Sequence, residues 1–211
     1  MRCSKCSTNI KPVVAVDIDG TLGDYHGHFT KFAEGYFGRP LNRSYDGGVE
    51  FHEALGIPLH EYRDAKLAYR QGGLKRTMPV YSGAGILVRQ LRQVAEVFIT
   101  TTRPYLRLDQ TDPDTRFWLA KHGIEYDGLL YDEDKYERLT SIVDPTRVVA
   151  VLDDLSEQYD AAKHIYGPRV PILRRNEYND AMTRPNTVST LAEALSEINE
   201  RIHEWETNNA G

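Results

Sequence analysis

The chain has 211 residues, a formal net charge of −5 and two cysteines. That length suits one sizeable core carrying a small insertion, and the acidic balance gives no overall basic field for nucleic acid or an anionic membrane. No apolar run approaches the ~18 residues a membrane helix needs, and Met1 to Cys6 has no apolar h-region; the expectation is an intracellular, cytoplasmic protein without a membrane partner.

Cys3-x-x-Cys6 opens the chain on a stretch read as a flexible tail over residues 1–10. One such pair is half a zinc site, and no second pair follows. Val13-Val14-Ala15-Val16 then reads as a strand buried on both faces. It runs directly into Asp17-Ile18-Asp19-Gly20-Thr21, two carboxylates one residue apart with a glycine that permits a sharp turn. Two acids at a strand end repel unless a cation or shared proton relieves them. Mg2+ suits such a place, because it takes one or two carboxylates together with phosphate oxygens.

Almost sixty residues, 22 to 80, separate this strand from the next strong βα pattern, too many for a simple crossover. Phe29, Phe32, Ala33, Tyr36 and Phe37 fit one face of a helix stopped by Gly38-Arg39-Pro40. Residues 42–48 read as loop. Two further helices are expected over Val49 to Leu55 and His60 to Tyr69, ending at Gly72-Gly73. The phenylalanines suit the insertion's own core. Tyr69, Arg70, Lys75, Arg76 and the later Arg103 and Arg107 are the candidates for contacting substrate.

Ser82-Gly83-Ala84-Gly85 opens an amphipathic helix, and Val94 to Thr100 reads as a strand leading into Thr101-Thr102-Arg103-Pro104. A helix over Asp114 to His122 and a strand over Gly128 to Tyr131 follow, then Asp132-Glu133-Asp134-Lys135. Val148 to Leu152 is the cleanest later strand and ends in Asp153-Asp154. Val170 to Leu173 is a last short strand, followed by Arg174-Arg175-Asn176, which face either the site or solvent. Leu191, Leu195, Ile198, Ile202 and Trp205 mark a helix that docks on the core.

Asp17-Ile18-Asp19-Gly20-Thr21, a strand ending in Thr101, Lys135 and Asp153-Asp154 resemble, in order, the four motifs of the haloacid dehalogenase superfamily of phosphotransferases. The resemblance spans residues 13 to 175. It implies an α/β fold: a Rossmann-like core with a parallel sheet over residues 11–23 and 80–211, and a helical C1-type cap over 24–79. It also implies roles. Asp17 is the nucleophile, and Asp19 the general acid and base. Thr101, Thr102 and Lys135 hold the phosphoryl oxygens. Asp17, the backbone of Asp19 and Asp154 hold Mg2+, with Asp153 in support.

Within that superfamily the layout is similar to 5'(3')-deoxyribonucleotidases, departing from them at Thr21 and at Arg103-Pro104. The implied substrate is a small phosphorylated molecule, a (deoxy)nucleoside monophosphate. Thr102-Arg103, Thr115 to Trp118, His122-Gly123-Ile124 and Asp153-Asp154 also look like the phosphatase half of polynucleotide kinase-phosphatases, which implies 3'-phosphorylated nucleic-acid ends. A silent phosphate-binding module is a third reading, and both Asp17 and Asp19 speak against it.

Overall fold

The computed structural model describes residues 10–45, 50–104, 108–180 and 184–209; Cys3, Cys6, Val49 and Arg107 lie outside them. Six strands form one sheet in the order β3-β2-β1-β4-β5-β6, with every pairing parallel. They are β1 (Val13–Asp17), β2 (Glu96–Thr101), β3 (Gly128–Tyr131), β4 (Val148–Asp153), β5 (Pro171–Arg174) and β6 (Thr187–Val188). β1 sits in the middle of the sheet. Its continuous apolar run follows from covering on both faces: Val14 and Val16 enter one hydrophobic cluster, Val13 and Ala15 the other.

The first cluster is closed by α4 (Ala84–Val94) and α8 (Leu191–Asn209), through Leu87, Val88 and Leu91 on the one and Ala194, Ile198 and Ile202 on the other. α5 (Thr111–Lys121) adds Trp118 and Leu119 to it. The opposite cluster takes Tyr136 and Leu139 from α6 (Lys135–Thr140) and Ala162 from α7 (Ser156–Tyr166). The result is a three-layer α/β arrangement whose strand ends share one rim.

Between β1 and α4 the chain makes α1 (Tyr25–Phe37), α2 (Phe51–Ala54), α3 (Leu59–Gln71) and a 3₁₀ turn, Leu74–Thr77. Asp24 caps α1 by accepting from Gly27 N at 2.9 Å, and Gly38 ends it in the left-handed conformation. Phe29 is fully buried between Tyr62 and Tyr69, with ring centroids 5.4 and 5.5 Å away. Phe32 and Phe37 pack partly buried against the same cluster.

The insertion leaves and returns through one paired stem. Asp24 N donates to Pro79 O and Tyr81 N to Leu22 O, both at 2.8 Å. The Trp118 indole donates to Met78 O at 2.6 Å and ties the returning strand to α5.

Several boundaries differ from the sequence expectation. β2 begins at Glu96, because Val94 closes α4 and Ala95 turns the chain. The second inserted helix is a single turn starting at Phe51, and α5 starts three residues early, with Pro113 tolerated in its first turn. β5 is displaced one residue, to Pro171–Arg174. The short helix α6, starting on Lys135 itself, has no counterpart in the sequence expectation.

Candidate active site

Three strand ends deliver the acidic cluster and its lysine. Asp17 is the last residue of β1 and lies in register with Thr100 of β2. Lys135 follows β3 at the start of α6, and Asp153 ends β4 with Asp154 next. Strand alternation sets Asp17 and Asp153 toward the α6 side of the sheet. There Lys135 Nζ donates to Asp17 Oδ1 at 2.5 Å and lies 2.7 Å from Asp153 Oδ2.

One carboxylate oxygen each from Asp17, Asp153 and Asp154 falls within 4.8 Å of the others, and all three residues are buried. Burial pushes the Asp17 carboxyl up to about 7 despite Lys135, and the charges of Asp153 and Asp19 push the same way. Burial, then the charges of Asp153 and Asp17, push Asp154 well above the usual carboxylate range. Three buried carboxylates against one ammonium form a donor set short of positive charge. All-oxygen, crowded and dry, it fits Mg2+ in its chemistry.

The two aspartates at the end of β4 differ in what holds them. Asp153 accepts from Lys135, from the Tyr136 hydroxyl and from Leu155 N at 2.9 Å. Asp154 accepts from Thr21 Oγ1 at 3.1 Å and from the Tyr178 hydroxyl. Its backbone carbonyl accepts from Asn179 Nδ2 at 2.7 Å. Asp153 therefore anchors Lys135 and Tyr136, while Asp154 is oriented by Thr21, Tyr178 and Asn179.

The turn after β1 is tight. Leu22 N and Gly23 N both donate to Ile18 O, at 3.0 and 2.9 Å. Gly20 sits at φ +92°, and a Cβ there would clash with the Asp154 carboxylate and the Tyr178 hydroxyl.

Asp19 stands apart from the three-carboxylate cluster. Arg103 donates to it twice, Nη2 to Oδ1 at 2.6 Å and Nε to Oδ2 at 3.0 Å. Lys75 Nζ lies 2.5 Å from Oδ2 and 3.8 Å from the Tyr25 ring centroid. Burial alone would raise the Asp19 carboxyl, but Arg103 and Lys75 outweigh it and hold the group well below its usual range. Arg103 is fixed in turn by Thr115 Oγ1, which accepts from its Nη1 at 2.8 Å.

The residues expected to touch substrate are distributed unevenly. Arg70, Lys75 and Arg103 converge on a cavity of only about 10 Å³ beside Asp114. Lys75 and Arg103 point inward to Asp19. Tyr69 is fully buried, its hydroxyl 2.7 Å from His28 Nδ1, in the interior of the insertion. Arg76 lies 3.7 Å from Asp114 and over the Phe117 ring. Thr101 is buried, its Oγ1 accepting from Arg103 N at 3.4 Å, and Thr102 is exposed.

Sequence reasoning passed over three groups. The Thr100 hydroxyl, opposite Asp17, is buried with no hydrogen-bond partner. Tyr136 and Tyr178 each donate to an aspartate of the cluster. For Thr100 the β-strand period itself was the available signal, since alternate residues share a face. Tyr178 and Asn179 carried none, being brought in only by the pairing of β4 with β5.

No protein-family model matches the chain, and no curated protein sequence does. Solved structures do. A haloacid dehalogenase-like hydrolase from Burkholderia xenovorans LB400 is 18% identical, with 92% of this chain and 99% of that one covered at a TM-score of 0.57. A predicted phosphatase from Clostridium acetobutylicum is 16% identical, with 90% and 99% covered at 0.60. The HAD-hydrolase YfnB from Bacillus subtilis, solved bound to magnesium, is 11% identical, with 90% and 99% covered at 0.57. At these identities the likeness is one of fold, and the chain has the fold of the haloacid dehalogenase-like hydrolases over nearly its whole length.

Proposed function

We propose that the chain is a Mg2+-dependent phosphomonoesterase that works through an aspartyl phosphate on Asp17, acting on (deoxy)nucleoside monophosphates. The observation that carries the reading is the meeting of Asp17, Asp153 and Asp154 over Lys135 at the ends of three parallel strands, with Asp19 held separately by two cations. The magnesium and phosphatase descriptions of the fold neighbours agree with it.

In this reading Asp17, Asp154 and the backbone of Asp19 hold the ion, which when bound neutralises charge on the phosphoryl oxygens. Asp17 attacks phosphorus in line; the Asp–phosphorus bond forms as the ester P–O bond breaks, and the leaving oxygen takes a proton from Asp19. Water then attacks the aspartyl phosphate, gives its proton back to Asp19, and inorganic phosphate leaves with Asp17 restored. Asp19, kept ionised here by Arg103 and Lys75, is in the state the second step needs; to donate in the first step it has to bind a proton, which requires the two cations to draw back from it as substrate enters. Lys135 offsets the charge of Asp17 and of the phosphoryl group, and Thr101 and Thr102 supply hydrogen bonds to its oxygens. Residues 24–79 act as a cap that excludes water.

The polynucleotide 3'-phosphatase reading stands second. Two of the basic side chains that would line a groove for a strand face inward, Lys75 and Arg103 onto Asp19, while the exposed Arg76 lies 3.7 Å from Asp114. The deciding experiment is phosphate release, with Mg2+ and with EDTA, from nucleoside 5'- and 3'-monophosphates, sugar phosphates and a 3'-phosphorylated oligonucleotide. Mg2+-dependent release led by the mononucleotides is expected. Asp17→Asn should lose about 10⁴-fold or more in turnover with its fold intact, and near-normal rates in that variant would overturn the assignment.

A further inference from the structure

A second, larger cavity lies on the other side of the carboxylate site. It measures about 410 Å³ and is walled by the start of α1, by Arg43 and Tyr45, and by the chain after β5. Its boundary with the acidic cluster is one loop. Asn176 Nδ2 donates to Gly20 O at 2.9 Å and to the Tyr178 hydroxyl at 2.8 Å, and that hydroxyl donates to Asp154. The loop that orients a carboxylate of the cluster on one side therefore faces this cavity on the other.

The lining combines aromatic rings and three guanidinium groups with the carboxylates of Glu177 and of Asp24, the latter engaged in capping α1. His26, Tyr45, Tyr81 and Tyr178 supply rings: His26 lies on Tyr178 with centroids 3.8 Å apart, and Tyr45 is 5.9 Å from Tyr178. Arg43, Arg174 and Arg175 supply guanidinium groups, and the Arg174 guanidinium lies 5.2 Å from the Tyr81 ring centroid. Arg174 is pinned, its Nη1 donating to Ser189 O at 2.8 Å and to Arg175 O. Arg175 lies 3.3 Å from Asp180 and, like Arg43, is exposed.

Two polar atoms of these lining residues, His26 Nδ1 and Arg174 Nε, are buried without any hydrogen-bond partner. Buried polar atoms are rarely left unmatched unless a ligand or water completes them.

Planar guanidinium forks match phosphate oxygens, and clustered aromatic rings take nucleobases by stacking in a sequence-tolerant way. A sugar phosphate alone would leave the rings unused. We infer that this cavity is a binding site for a nucleotide unit bearing a second phosphate, in addition to the phosphate hydrolysed at Asp17. The base lies against the Tyr45, Tyr178 and His26 wall, and the second phosphate is held by Arg43, Arg174 and Arg175. The inference rests on the phosphomonoesterase reading for the phosphate at Asp17. Its ligand chemistry has two sources, a free nucleoside bisphosphate or the penultimate phosphodiester of an oligonucleotide end.

The test uses the whole chain and two readouts. kcat/KM with Mg2+ is measured for adenosine 3'- and 5'-monophosphate, adenosine 3',5'-bisphosphate and a 3'-phosphorylated tetranucleotide; Kd for the same compounds is measured on Asp17→Asn. A second phosphate is expected to improve both by about tenfold or more over either monophosphate. The double variant Arg43→Ala/Arg175→Ala should erase that advantage through KM, with kcat and monophosphate turnover unchanged. An advantage confined to the bisphosphate names the free nucleotide as source, and one confined to the tetranucleotide names the nucleic-acid end. Equal values for mono- and bisphosphates, or an advantage that survives the double variant, overturns the inference and leaves the phosphatase reading intact. Tighter binding of the doubly phosphorylated compounds without Mg2+-dependent release of phosphate from any of them would do the reverse.

Discussion

Arg103 and Asp19, 84 residues apart in sequence, form a two-pronged ion pair at 2.6 and 3.0 Å. The fork fixes the carboxylate plane as well as its charge, which a single ammonium does not do. Arg103→Lys should therefore keep the charge and lose the orientation. The expected result is a fall in kcat of about a hundredfold with KM little changed. A variant with wild-type kcat would show that Lys75 alone positions Asp19.

Lys135 separates Asp17 from Asp153. Lys135→Met leaves those two carboxylates facing each other, buried and unneutralised, and should cost roughly 3–5 kcal/mol of stability. Thermal denaturation in EDTA measures this. A Tm close to wild type would mean that the three acids relieve one another by protonation.

Metal addition should raise Tm with the logarithm of free Mg2+ once that exceeds Kd. One site bound to the folded chain stabilises by about 2.7 kcal/mol when free Mg2+ is a hundred times its Kd. Asp154→Asn should abolish most of that increment. Tyr178→Phe, which removes the phenolic donor to Asp154, should raise the Mg2+ concentration needed for a given increment by about tenfold. Equal Mg2+ titrations for wild type and both variants would place the ion elsewhere.

His26 is a pH-sensitive element of the fold. Burial depresses it from its ordinary value to about 3, and its ring lies 4.3 Å from Phe51 and 3.8 Å from Tyr178 between centroids. The unfolded chain takes up the proton near pH 6.5 while the folded chain does not. Stability is thus full above that pH and falls as pH drops toward 3. The loss between pH 7 and pH 5 is up to about 2 kcal/mol. In His26→Phe that part of the acid dependence should vanish, as urea denaturation at the two pH values would reveal. An unchanged slope would assign it to the carboxylates.

Much of this arrangement could be read along the chain, and the reason is local. β1, β3 and β4 announce themselves by apolar runs, and each stops close to the charged group it presents: Asp17, Lys135 after a short loop, and Asp153. Helix faces such as Phe29 or Leu191 with Ile198 follow from the 3.6-residue period. What escaped the sequence is what needs two distant segments at once. Lys75 and Arg103 look like free basic side chains until the returning insertion brings the one, and the pairing of β2 with β1 the other, onto Asp19. Tyr178 looks like an ordinary loop tyrosine until β5 pairs with β4. Thr100 reads only as part of the strand, and its register opposite Asp17 appears once β1 pairs with β2.

β1 is translated early yet occupies the centre of the sheet, with β2 on one edge and β4 on the other. Emerging from a ribosome, its five buried residues wait for more than 130 others before both flanks are covered. The last side chains to reach the acidic cluster, Tyr178 and Asn179, come later still. Parallel pairings between such distant segments form slowly, because the entropy of closing the loop is lost before any pairing can offset it. A nascent fragment ending before Asn179 lacks the tyrosine and amide donors that orient Asp154, so the fully hydrogen-bonded carboxylate site has to follow closure of the sheet from β3 to β5.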